Sequence, residues 1–124
     1  MIIRIDMMSD TPIYVQLRNE IVKGIGKGEL AVGENLPTVR QMAADLGVNT
    51  MTVSKAYQAL KAEGFIETDR RHGAVVRPVT DTGGRFREKL GDELELLCAE
   101  AKIKGVEREE FLKLCDAAFA GMEA

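Results

Sequence analysis

From Leu36 to Tyr57 the chain specifies two short helices hinged on one glycine, and few folds accommodate that. Pro37 keeps Leu36 out of helical geometry. Thr38 and Gln41 then take the two places of a capping box, in which each side chain satisfies a free backbone donor near the other. Gly47 supplies the left-handed conformation that ends a helix. Asn49 caps the next helix, which the spacing of Val53, Ala56, Tyr57 and Leu60 carries to Glu63, with a stop at Gly64. Met51, Lys55 and Gln58 lie on its opposite face. The first turn of that helix, Thr50-Met51-Thr52, holds two small hydroxyls and one thioether. This is the layout of a helix-turn-helix, whose second helix enters the major groove of DNA with its N-terminal residues at the base edges.

The flanking sequence completes a domain. Thr11-Pro12 opens a first helix, with Thr11 as the cap and Pro12 at the first helical position. Tyr14, Leu17, Ile21 and Ile25 share one face of it, and it ends near Lys27 among Gly24, Gly26 and Gly28. Residues 32–36 read as a turn leading into a short extended piece. After the third helix, residues 65–68 and 74–77 are strand-like, and Asp69-Arg70-Arg71-His72-Gly73 is the tip of a hairpin. The fold class is mainly α with a small β-hairpin, a winged helix-turn-helix over residues 1–78.

Residues 79–84 read as a linker, and residues 85–124 as a helical hairpin broken at Lys104-Gly105. Phe86, Leu90, Leu94, Leu97 and Ala101 make one apolar stripe. Phe111, Leu114, Cys115, Ala118 and Met122 make another, with Phe119 beside it. Val106 and Phe111 stand at the spacing of a hydrophobic staple around the second start, with Glu110 in the capping-box position. A hairpin this short cannot bury two stripes on itself, and exposed stripes mark an interface. The simplest closed solution is a two-fold homodimer with the tail as its core. Two helices committed to dimerisation leave little room for an effector pocket inside one tail, so any effector is expected between subunits or not at all.

Charge is divided along the chain. Residues 1–80 carry ten Lys and Arg against nine Asp and Glu, whereas residues 81–124 carry seven against eleven. The acidic tail is therefore expected to point away from phosphate. The longest apolar runs are too short to cross a membrane, and the N-terminus lacks the pattern of a secretory signal. Cys98 and Cys115 have no metal-type spacing and read as small hydrophobic residues of a reduced, cytoplasmic protein. The single His72 has no second ligand at a useful spacing. With no phosphate loop and no carboxylate pair in an apolar setting, neither an enzyme nor a cofactor is called for. A winged helix serving as a protein- or RNA-binding module is the remaining alternative.

The span from Pro12 to Val76 resembles the DNA-binding domain of the GntR family of bacterial transcription regulators. The likeness rests on Pro12-Ile13-Tyr14-x-Gln16-Leu17, Gly28-Glu29-Leu30, Val32-Gly33-x-x-Leu36-Pro37-Thr38-Val39-Arg40, Leu46-Gly47-Val48-Asn49, Thr52-Val53-Ser54-Lys55-Ala56-Tyr57-x-x-Leu60 and Glu63-Gly64-Phe65-Ile66. The short two-helix tail is similar to that of the YtrA-type subfamily. The resemblance implies a homodimeric repressor on a two-fold symmetric double-stranded operator. It places Thr38 and Arg40 near DNA, Asn49 to Thr52 at bases and phosphate with Ser54 behind them, and Gly73 at the minor groove. Met51 stands where YtrA-type members carry an asparagine, so their operator sequence is not carried over. The residues point the same way. Arg40 follows a cap directly beside the recognition helix, and helix N-termini such as that at Asn49 attract anions. Thr50 and Thr52 are poor helix formers placed in a first turn. Met51 suits thymine methyls, Lys55 faces outward toward phosphate, and Arg70, Arg71 and His72 crowd the wing tip.

Overall fold

Five helices and one hairpin follow in the order α1 (Ile13–Gly26), α2 (Val39–Leu46), α3 (Thr50–Ala62), β1 (Ile66–Asp69), β2 (Gly73–Val76), α4 (Arg85–Ile103) and α5 (Arg108–Ala120). The computed structural model describes residues 2–122, so the outermost positions of the ranges 1–78 and 85–124 lie outside the described residues. The chain divides into two units, the first ending at Val79 and the second beginning at Thr80.

In the first unit α3 is the central element, packed against both α1 and α2. Its face Val53, Ala56, Tyr57 and Leu60 is buried, together with Leu17 and Ile21 of α1, Met42 and Ala43 of α2, and Ile66, Ala74 and Val76 of the hairpin. Removing this apolar surface from water is the main force holding the unit together. The Tyr57 hydroxyl donates to the Pro37 carbonyl at 2.7 Å, tying α3 to the entry of α2. Burial pushes its pKa up from 10.0 to about 12. At the far end, the Arg18 guanidinium reaches from α1 to the Glu63 carboxylate, with Nε at 3.0 Å, and also lies over the Phe65 ring.

Local geometry departs from the sequence reading in three places. Pro12, not Thr11, is the N-cap of α1, and no side chain caps it. The Gln16 amide instead ties the preceding chain to the helix, donating to the Thr11 and Asp6 carbonyls and accepting from the Asp6 N–H. The capping box of α2 is half made: Thr38 Oγ1 accepts from the Gln41 N–H at 3.1 Å, with no return bond from the Gln41 side chain. The extended piece before Pro37 also does more than connect. Asn35 bridges Val75, and the Gly33 and Leu36 N–H groups donate to Val76 and Ala74 carbonyls at 2.9 and 2.8 Å. Residues 33–36 thus form a second, short ladder on the edge of β2 left free by β1. Pro37, which has no N–H, closes it.

In the second unit α4 and α5 form the hairpin. Gly105, at φ 81°, turns the chain in the left-handed region, and the Val106 N–H returns to the Ala101 carbonyl at 2.8 Å. That 6→1 bond satisfies one of the helix's last carbonyls. The start of α4 differs from a plain linker. The Asp81 carboxylate accepts from the backbone N–H groups of Phe86 and Arg87 at 3.0 and 3.1 Å and pairs with the Arg87 guanidinium at 2.9 Å. Residues 81–84 therefore belong to the cap of α4. Glu110 makes no cap bond at α5, whose N-cap is Glu107.

Candidate nucleic-acid interface

Two helix N-termini and one hairpin tip carry the expected contact residues. Asn49 Oδ1 accepts from the Met51 N–H at 2.7 Å, so the asparagine acts as the cap of α3. Only three residues, Gly47, Val48 and Asn49, separate α2 from α3, and Gly47 makes this turn at φ 67°. With its backbone donors partly satisfied, the first turn of α3 presents its side chains outward. Thr50 is exposed, Met51 is 77% exposed, and Thr52 and Ser54 are half-buried. Thr38 and Arg40 lie exposed at the first turn of α2. The chain thus leaves an uncovered apolar thioether in a ring of hydroxyls, the mixture suited to thymine methyls and base-edge polar groups.

The wing is held from two sides. Asp69 and Gly73 pair across the hairpin, leaving Arg70, Arg71 and His72 as a three-residue loop, with Gly73 at φ 68°. The Asp69 carboxylate accepts from the His72 backbone N–H and contacts its Nδ1 at 3.1 Å. These bonds, the backbone one foremost, hold the Asp69 pKa below its usual value. From the other side the Asn35 amide donates to the His72 carbonyl. The ladder at residues 33–36 and this tether were not visible in the sequence, where Asn35 has the look of an ordinary turn residue. The pairing of an isolated asparagine with a loop thirty-seven residues away leaves no periodic signal.

Arg18, Arg77 and Arg87 are paired with Glu63, Glu67 and Asp81. Among the described residues, Arg40, Lys55, Arg70 and Arg71 meet no carboxylate at ion-pair distance, so their charge is left for another partner. Lys55 is exposed, as the spacing predicts, but its ammonium lies 4.3 Å from the centre of the Tyr14 ring. Tyr14 is half-buried and packs against the core beside the α1 stripe, with its ring also facing Lys55.

The tail helices have no buried residue. Phe86 is 57% and Phe119 is 76% exposed, and Leu90, Leu94, Leu97 and Leu114 are exposed as well. Cys115 and Ala118 are exposed, while Phe111 and Met122 are half-buried. Cys98 and Cys115 are free and exposed in the single chain, against the expectation that they are buried. Both line an apolar hollow of about 740 Å³ between α4 and α5, bounded also by Leu94, Ala101, Val106 and Phe111. Cys98, Ala101 and Cys115 are too small to fill the seam between two helices.

A winged helix with an uncovered recognition turn and unpaired cations defines a class of protein, the DNA-binding transcription regulators. Residues 13–76 match the model of the bacterial regulatory proteins of the gntR family, and the chain belongs to that family. It is 37% identical over 111 residues to the HTH-type transcriptional repressor YtrA of Bacillus subtilis, covering 87% of this chain and 85% of that protein. It is also 38% identical to the HTH-type transcriptional regulator Rv1152 of Mycobacterium tuberculosis, over 60% of this chain and 61% of that one. Among solved structures, YtrA from Sulfolobus acidocaldarius is 40% identical with a TM-score of 0.69, covering 80% of this chain and 99% of that one. A transcriptional antiterminator from Listeria monocytogenes EGD-e is 30% identical with a TM-score of 0.88, covering all of this chain and 95% of that one. Among the described residues no helix is long and apolar enough to cross a membrane.

Proposed function

We propose that this chain is a cytoplasmic repressor that binds a two-fold symmetric operator as a homodimer. The observation that carries the reading is the uncovered first turn of α3 together with Arg40 on α2, Lys55 on α3 and Arg70 and Arg71 in the wing loop, none of which meets a carboxylate at ion-pair distance among the described residues. In this reading α3 lies in the major groove, with Thr50, Met51 and Thr52 at base edges and Ser54 beside them. Thr38, Arg40, Asn49 and Lys55 hold the phosphate backbone. The wing tip, Arg70 to Gly73, approaches the minor groove, where Gly73 lets the backbone come close. The two tails join through Phe86, Leu90, Leu94, Leu97, Phe111, Leu114, Cys115, Ala118, Phe119 and Met122, with the seam between α4 and α5 receiving side chains of the second copy. The repressor activity named for the Bacillus subtilis relative supports the direction of control.

Selection of bound duplexes from random DNA, followed by gel retardation at physiological salt, tests the proposal. The expected result is an enriched inverted repeat that is retarded as a complex with two subunits. Failure to retard any duplex, or equal competition by RNA of the same sequence, would replace it with the protein- or RNA-binding alternative.

A further inference from the structure

We infer that Tyr14, on α1, is a positioning residue for DNA binding: its ring holds the Lys55 ammonium of the recognition helix in place for phosphate. The inference rests on the DNA-binding reading above and adds to it a residue outside the helix-turn-helix. Lysine is a strongly hydrated point charge on a flexible four-carbon stem. Left free on an exposed helix face, such a side chain samples many rotamers and must be immobilised on binding. Here the ammonium sits 4.3 Å from the Tyr14 ring centre, within the range at which the negative face of the ring attracts a cation. Among the described residues no carboxylate competes for it. The arrangement therefore orders Lys55 without neutralising it, since a ring face, unlike a carboxylate, leaves the full charge available to an anion.

The position of Tyr14 supports this use. It lies in the first turn of α1, where Pro12 takes the cap position and Gln16 pins the preceding chain to Asp6 and Thr11. α1 is packed against α3 through buried Leu17 and Ile21. The ring is thus carried by a fixed element, packed against the core and beside Lys55. Ordering one such side chain before binding is worth about threefold to tenfold in affinity, and the effect enters once per subunit.

A double-mutant cycle on the full-length protein tests the inference, with a duplex selected by the wild type as probe. Tyr14→Phe keeps the ring and should bind as the wild type does. Tyr14→Leu should weaken binding about threefold to tenfold per subunit, yet have no further effect in a Lys55→Met background. An equal loss in both backgrounds, or a loss in Tyr14→Phe as large as in Tyr14→Leu, overturns the inference. In the free wild-type protein the Lys55 side-chain methylenes should show ring-current shifts that Tyr14→Phe retains, and their absence also overturns it. If Lys55→Met weakens binding while Tyr14→Leu does not, the role of Tyr14 fails and the DNA-binding reading stands. If the wild type binds no duplex, the reading itself fails.

Discussion

Single residues in this chain often serve two ends. Tyr57 closes the core under α3, and its hydroxyl still finds the Pro37 carbonyl where the chain enters α2. Its raised pKa makes a stability statement. The neutral phenol is favoured by the folded state, so its contribution is intact below pH 10 and is lost as pH rises from 10.0 toward about 12. Alkaline unfolding should therefore steepen in that window, and Tyr57→Phe should remove the steepening while lowering stability at neutral pH by about 1 kcal/mol. Denaturant melts of both proteins across the range would measure it. Met51 is a second residue whose exposure invites a direct test. Replacing it by Asn restores a hydrogen-bonding side chain at that position. The sequence selected by the variant should change at the base pairs facing α3, with little change in salt dependence. An unchanged selected operator would show that the thioether reads nothing.

At the scale of elements, the caps of α2 and α3 were the most legible features, because caps are local chemistry. Thr38, Gly47 and Asn49 sit where their side chains or backbone freedom require them, and the apolar face of α3 follows from period alone. Legibility failed where a bond spans distance. Asn35 and the ladder at residues 33–36 depend on a strand far along the chain, and the period that puts Tyr14 on the core face of α1 does not record that Lys55 lies against its ring. The cap of α4 was missed for another reason: Asp81 stands outside the usual offset, behind a Thr-Gly-Gly run that resembles linker. Its carboxyl is held below the usual carboxylate range by the Phe86 N–H first and by Arg87 after it. A lowered folded-state pKa means the cap is present at neutral pH and is lost as acid protonates the carboxylate, below the ordinary value of 3.8. Amide exchange at Phe86 and Arg87 should thus accelerate, relative to mid-α4, on acidification through that range. In Asp81→Ala the acceleration should already be present at neutral pH.

For the whole molecule, the proposed dimer joins two weak readers into one strong one. Arg40, Lys55, Arg70 and Arg71, doubled by symmetry, amount to roughly eight neutralised phosphates, which predicts a log–log salt slope of about −7. Lys55→Ala should weaken all duplexes about equally and flatten the slope by about 2, one phosphate for each half-site. Titrations across a range of salt concentrations would give both numbers. Leu97→Glu, which sets a charge in the middle of the α4 stripe, should yield a monomer by sedimentation with the first unit's fold intact. A dimer of unchanged strength would move the interface elsewhere.

The ladder between residues 33–36 and β2 also has a consequence for the order of events during synthesis. Asn35 and Val75 are about forty residues apart, so the first unit must close a long loop before that pairing rewards it. The tail hairpin, by contrast, is built from neighbours in sequence and forms by fast local steps. A nascent chain therefore cannot complete the winged domain until Val76 has left the ribosome. It cannot offer its exposed stripes until some forty residues later, because domains fold as units from the N-terminus onward. In the proposed dimer, the reading heads are therefore able to assemble before the stripes that join them are made.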